Sequence, residues 1–182
     1  MTESDLIIGC KNNDPKSQEQ LYNRYAPKML SVCRRYVSDL GLAQDLLQEG
    51  FIKVFSKIHT YSGTGVFAGW MRRVFVTTSL EYLRQNDVLK DSAAIDENTA
   101  DEINPSILSA LTTADLLHCI DRLPVGYRTV FNLYVMEGYS HAEIAEQLQI
   151  QEKTSQSQLV RARQLLQKDV LTIIGQDYGQ SR

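Results

Sequence analysis

The sequence predicts an all-α protein: two small helical domains joined by a flexible acidic linker, the second containing a helix-turn-helix. Three observations predict it. Apolar residues recur at three- and four-residue intervals, and no stretch shows the alternation of a strand. Charge shifts abruptly in the middle: residues 1–90 carry 12 basic and 9 acidic side chains, 91–108 no basic and 5 acidic, and 109–182 7 and 8. Finally, Ser140 to Gln167 reads as two helices joined by a tight turn, opened by the S-x-x-E spacing of a capping box at Ser140 and Glu143. The expected division is therefore 1–90, an acidic linker at 91–108, a domain at 109–175 and a frayed polar tail at 176–182.

Taken in order, Ser4 is the expected cap of a first helix with Leu6, Ile7 and Cys10 apolar, and Asn13-Asp14-Pro15 ends it. Ser17 to Tyr36 carries Leu21, Tyr25, Met29, Val32 and Tyr36 at mostly helical spacing; Pro27 lies inside that run and predicts a kink or a restart. In DLGLAQDLLQEGFIKVFSKIHTY, Leu47, Phe51, Val54, Phe55 and Ile58 form one apolar stripe. Asp45, Gln48, Glu49 and Ile52 form a second stripe on another face, suited either to a partner protein or to solvent. His59 to Gly65 is a glycine-rich loop without the Gly-Lys-Ser/Thr of a phosphate-binding loop. Val66 to Gln85 reads as a helix with Phe67, Trp70, Val74, Leu80 and Leu83 apolar, cations at Arg72, Arg73 and Arg84, and Thr77, Thr78 and Glu81 as its polar face. Aromatic and basic residues beside a loop suit unpaired nucleic acid, whose bases stack on rings, although Phe67 and Trp70 equally suit a core.

Beyond the linker, which closes on Asn104-Pro105, a helix is expected at Thr113–Arg122. Leu123-Pro124 starts another, with proline at a tolerated first-turn position. Val130, Phe131, Tyr134 and Val135 are its expected apolar face, and Gly138 its end. In the helix-turn-helix, Ile144 and Leu148 face inward, Ile150 plugs the turn, and Leu159, Ala162 and Leu166 line the second helix. The other face of that helix offers Lys153, Thr154, Gln156, Ser157, Gln158, Arg161 and Arg163. Amides and hydroxyls there suit base edges in a major groove, and arginines suit phosphate or guanine. Four of the seven basic residues after position 108 fall between Lys153 and Lys168, which favours DNA over a structural helix pair.

With 43% hydrophobic and 23% charged residues, the composition is that of an ordinary soluble protein. A net charge of −3 excludes a generally basic coat for nucleic acid and leaves DNA contact to local patches. Cys10, Cys33 and Cys119 are isolated, so neither a fully paired disulfide framework nor a C-x-x-C metal pair is available, and buried thiols in a reducing cytosol are expected. No apolar run approaches a membrane span, and the N-terminal residues lack a basic-then-apolar leader, so a cytoplasmic protein is expected. His59, His118 and His141 form no metal-ligand spacing, and no nucleophile elbow or dinucleotide fingerprint is present. Neither catalysis, a cofactor, a metal nor a small-molecule substrate is expected.

Two blocks carry a resemblance: AQDLLQEGFIKVFSKI followed by FAGWMRRVFVTTSLEYLR, and RLPVGYRTVFNLYVMEGYSHAEIAEQLQIQEKTSQSQLVRARQLL. In this order, with an acidic linker between them, the chain from about residue 5 to 170 resembles the sigma-70 type initiation factors of bacterial RNA polymerase, in their small extracytoplasmic-function (ECF) form. The resemblance implies a factor that binds core RNA polymerase, melts the −10 promoter element and reads the −35 element. Asp45, Gln48, Glu49 and Ile52 become the implied polymerase-binding face. Tyr61, Ser62, Arg72, Arg73, Thr77, Thr78 and Arg84 become the implied −10 contacts, with one base flipped into the loop. Lys153, Thr154, Gln156, Ser157, Gln158, Arg161 and Arg163 become the implied −35 contacts. The acidic linker would thread the polymerase cleft, and an anti-sigma factor is the implied inhibitory partner.

The chain departs from the family in three places. Thr77 stands where the family usually has asparagine, and a hydroxyl reaches less far than an amide. Gln149 stands where glycine is common; a positive φ there costs roughly 1 kcal/mol. Gln156 and Gln158 stand where lysine or arginine is frequent, which implies weak −35 binding that relies on tethering to polymerase. Two other functions compete. A stand-alone helix-turn-helix regulator leaves residues 41–85 without a task, and Glu49→Lys would separate it from an initiation factor. An interaction scaffold leaves both sets of arginines unexplained.

Overall fold

The computed structural model describes residues 1–86 and 112–179. The predicted linker at 91–108 lies outside the described residues. The chain separates into two compact units, divided between Gln85 and Asn86. The described residues form eight α-helices and contain no strand. None of these helices is long and apolar enough to cross a membrane.

The first unit comprises α1 (Glu3–Lys11), α2 (Pro15–Arg34), α3 (Leu40–Lys57), a 3-10 turn (Ile58–Thr60) and α4 (Phe67–Gln85). The cap of α1 is Thr2 rather than Ser4: the Thr2 hydroxyl accepts the Asp5 amide at 3.2 Å, and the Asp5 carboxylate takes the Thr2 amide at 2.9 Å. Ser4 has Ile7 three residues on and could not reciprocate. Asn13, at φ 56°, makes the turn into α2, which Asp14 caps through the Ser17 amide. Helix α2 continues through Pro27 as one 20-residue helix, so the predicted restart does not occur. Burial explains this. Leu21, Tyr25, Met29 and Val32 are buried on both sides of the proline. At about 1.5–3 kcal/mol per buried apolar side chain, they outweigh the ~3 kcal/mol cost of proline in a helix interior.

Helices α2, α3 and α4 pack on one another, with α1 against α2 and the 3-10 turn. Leu21, Met29, Leu46, Met71, Phe75 and Leu80 fill the centre. Gly50 is the closest approach of α3 to α4: a Cβ placed there would lie 2.1 Å from the Phe75 ring. Cys10 and Cys33 are buried as free thiols, and burial pushes them up to about 11 and about 12. At those values they are not thiolate nucleophiles near neutrality.

The second unit comprises α5 (Thr113–Arg122), α6 (Val125–Phe131), a π-helical segment (Asn132–Met136), α7 (His141–Leu148) and α8 (Glu152–Gly179). Helix α5 has the predicted bounds and is capped by Thr112 and Asp115. Tyr134 and Val135, predicted to face inward, are exposed, while Tyr127, Val130 and Leu133 are buried. The wider turn of the π segment, where the Glu137 amide reaches the Asn132 carbonyl, rotates the later residues off the α-helical stripe. Buried Arg128 donates from Nη1 to the Asp121 carbonyl at 2.8 Å, satisfying the end of α5. Helix α8 extends to Gly179, past the predicted end at 175. Its residues Val170 and Ile174 pack on Cys119 of α5, and Ala162 packs on Leu123 and Tyr127.

Candidate functional site

Within the first unit, α3 buries Ala43, Leu46, Leu47, Phe51 and Val54 and leaves Asp45, Gln48, Glu49 and Ile52 exposed. Their three- and four-residue spacing places all four on one side of the helix. Ile52 is 68% exposed. It stands in water with Asp45, Gln48 and Glu49 on the same face of the helix. Glu49 pairs with Lys53 at 2.6 Å, and Lys53 also reaches Glu81 of α4 at 2.7 Å. Burial works against the Lys53 charge, but hydrogen bonds and attraction from the two glutamates outweigh it and raise its pKa. Lys53 thus ties the exposed face of α3 to α4, a link the sequence analysis did not anticipate. Two acids flanking one lysine across different helices give no periodic signal.

The loop between the 3-10 turn and α4 has a buried base and an exposed tip. Tyr61 is 8% exposed; its ring lies edge-on to Phe67 at 5.1 Å and tilted to Trp70 at 5.7 Å. Its hydroxyl donates to the Gly65 carbonyl at 2.8 Å. At the tip, the Ser62 and Thr64 hydroxyls hydrogen-bond at 2.7 Å across Gly63, and Gly63 and Gly65 take φ of 82° and 76°. Val66, not singled out from the sequence, is 75% exposed. On α4, Arg73, Thr77 and Arg84 fall on one stripe by their spacing of four and seven, with Arg73 exposed and the other two half-buried. Arg72 is half-buried beside them. Thr78, predicted to contact DNA, is 1% exposed, and its hydroxyl donates back to the Val74 carbonyl at 2.9 Å. The structure therefore puts Thr78 and Tyr61 in the packing that supports the surface, Ser62 and Arg73 on the surface itself, and Thr77 half-buried at its edge. Adjacent threonines point about 100° apart on a helix, and here that rotation carries Thr78 into the core while Thr77 stays half-buried.

In the second unit, the predicted capping box forms: the Ser140 hydroxyl accepts the Glu143 amide at 3.3 Å and the Glu143 carboxylate takes the Ser140 amide at 2.8 Å. Gln149 is left-handed at φ 55°, as the turn requires, and the Ile150 amide reaches back to the Ala145 carbonyl at 3.1 Å. Ile150 is half-buried. Ser155, fully buried, shares a 2.9 Å hydrogen bond with His141 Nδ1, which joins the two helices of the motif. The His141 ring stacks on Tyr134 at 4.6 Å, and the Arg163 guanidinium lies over the other ring at 6.0 Å. This group, also absent from the sequence reading, fixes α8 against α7 and holds Arg163. Lys153, Gln156, Ser157 and Arg163 are exposed on α8, while Thr154, Gln158 and Arg161 are half-buried. The exposed set has hydrogen-bond donors for base edges and two cations for phosphate.

Comparison with known proteins gives consistent findings. The family Sigma-70 region 2 matches residues 21–88, and Sigma-70, region 4 matches residues 113–166. The ECF RNA polymerase sigma-E factor of Haemophilus influenzae is 28% identical, the alignment covering 93% of this chain and 96% of that protein. The RNA polymerase sigma-H factor of Pseudomonas aeruginosa is also 28% identical, covering 91% of this chain and 92% of that one. Among solved structures, the sigma factor RpoE of Bartonella quintana, crystallised with the anti-sigma factor NepR, is similar in fold. Its TM-score is 0.51 at 20% identity, over 85% of this chain and 96% of that one.

Proposed function

The chain belongs to the sigma-70 family of RNA polymerase initiation factors, in its ECF branch, and from that premise we propose how its two units divide the work. The protein directs RNA polymerase to promoters. The first unit binds core polymerase through Asp45, Gln48, Glu49 and Ile52 and captures the melted −10 strand through the loop at Ser62 and the cations of α4. The second unit reads the −35 duplex with Lys153, Gln156, Ser157 and Arg163, supported by Thr154, Gln158 and Arg161. The segment 91–108, with five acids and no base, links the two. The factor is not itself a catalyst; it acts in the cytoplasm, where polymerase is, and an anti-sigma factor is its inhibitory partner.

The observation that carries this division is the exposure of Ile52 within an acidic and amide stripe on α3. Acids on that stripe steer a basic partner surface, and the isoleucine supplies desolvated area at its centre. The test is transcription with purified bacterial core polymerase on DNA from upstream of the chain's own gene. Wild type should yield a defined transcript. Asp45→Arg combined with Glu49→Arg should lower core affinity at least ~10-fold, about 1.4 kcal/mol, and abolish the transcript while helicity is retained. Retained core binding by the double variant would reject α3 as the polymerase face.

A further inference from the structure

The loop at Tyr61–Gly65 is held at both ends by groups that do not face its tip. Lys11, the last residue of α1, donates from Nζ to the Tyr61 carbonyl at 3.0 Å across fifty residues of sequence. The Tyr61 hydroxyl crosses the loop to the Gly65 carbonyl at 2.8 Å. Helix α1 makes a second attachment through Glu3, which accepts from the Tyr25 hydroxyl. The Tyr25 ring meets Phe67 edge-on at 6.0 Å, and Phe67 is in turn one wall around Tyr61. Gly63 lies between the two held carbonyls and Gly65 carries the second; both take positive φ, the permissive backbone that only glycine adopts freely. A loop of that composition would ordinarily lose much conformational freedom on binding, at the expense of affinity.

We infer that Lys11 and the Tyr61 hydroxyl are positioning residues: together they brace the 61–65 loop, so that α1 presets it for an unpaired base. The inference rests on the reading of this loop as the −10 capture element. Lys11 acts through the loop, because its ammonium donates to the Tyr61 main-chain carbonyl. Tyr61 acts the same way, because its ring is enclosed by Phe67 and Trp70 and its hydroxyl is turned into the loop. The exposed Ser62 and Thr64 hydroxyls are then presented by a backbone that need not reorganise.

The experiment uses holoenzyme assembled from core polymerase and the full chain. The probe is the single-stranded −10 oligonucleotide of the promoter mapped upstream of its own gene, intact or with an abasic site at each position in turn. Wild type should lose about tenfold in affinity at one position, the scale of a single base stack. Lys11→Met and Tyr61→Phe should each bind the intact oligonucleotide several-fold more weakly, yet match wild type on the oligonucleotide abasic at that position. Lys11→Arg, which keeps a donor of similar reach, should restore intact binding. If the loss persists undiminished on the abasic oligonucleotide, Lys11 is a phosphate contact or a general fold determinant, and the brace is wrong. If neither variant loses affinity on the intact strand, the brace is likewise wrong. If no abasic position affects wild type, the capture reading itself fails, a result distinct from either.

Discussion

Gln149 holds a left-handed backbone at φ 55° and ψ 43° with its side chain exposed. The turn needs that conformation because the Ile150 amide must return to the Ala145 carbonyl. A non-glycine residue there carries a steric cost of roughly 1 kcal/mol, partly offset because glycine loses more entropy on folding. Gln149→Gly is therefore expected to stabilise the second unit by a few tenths of a kcal/mol, up to about 0.5, read as a raised midpoint in urea unfolding of the full chain. An unchanged or lowered midpoint would mean that the glutamine side chain contributes something the backbone does not reveal. The same scale separates Thr77 from Thr78. Both belong to one polar dipeptide in the sequence, yet only Thr78 hydrogen-bonds back to Val74 in the core. A threonine can satisfy its hydroxyl on its own helix, so polarity alone does not place it at the surface.

At the scale of elements, α3 and α4 form one structure through two contacts of opposite kind. Gly50 admits the Phe75 ring so closely that a Cβ would lie 2.1 Å from it, and Phe75 is held in turn by Phe51 at 5.2 Å. Gly50→Ala would gain up to ~1 kcal/mol of helix propensity. It would also overpack the crossing, at about 1–3 kcal/mol. The ring cannot retreat within a filled core, so overpacking should win, with a net loss of about 1 kcal/mol, and at most about 2, measured by chemical denaturation. A neutral result would show that the two helices slide freely. The second contact is Lys53, which bridges Glu49 and Glu81. Helix positions, the Ser140 capping box and the stripes of α3 are legible in the sequence because each depends on residues three or four apart, whereas the cap of α1 falls at Thr2 and not at Ser4. Two elements were legible only in part. The continuation of α2 through Pro27 depends on partners from other helices, and the outward turn of Tyr134 and Val135 depends on a π segment that breaks the very period used to read it.

At the scale of the molecule, the proposed −35 face carries few cations. On α8 the candidate cations are Lys153, Arg161, Arg163 and Lys168, with Arg161 half-buried, and glutamines stand at 156 and 158. Counterion release scales with the phosphates neutralised, at about −0.9 per contact. With three or four contacts, the full chain alone should bind −35 duplex weakly, with a log–log salt slope of about −3. In holoenzyme the same face should gain affinity through tethering to polymerase, without any new contact. Titration of labelled duplex across salt concentrations checks both; tight binding by the free chain, or a slope near −6, would reject the tethered reading. The net charge of −3 suits this arrangement, since a general affinity for nucleic acid would compete with promoter search.

The sequence by itself determined the all-helical class, the helix-turn-helix with its capping box, the acidic-apolar stripe of α3 and the family to which the chain belongs. All of these are encoded by spacing within one element or by the order of motifs along the chain, so no knowledge of packing is needed to read them. The tertiary structure alone decided which polar residues of α4 reach the surface and that Lys11 grips the Tyr61 loop. It alone showed Lys53 joining two helices and a Tyr134–His141–Ser155–Arg163 group holding α8 in place. Those facts join residues up to fifty positions apart, and such contacts are fixed by the mutual burial of whole helices, for which one-dimensional periodicity has no term.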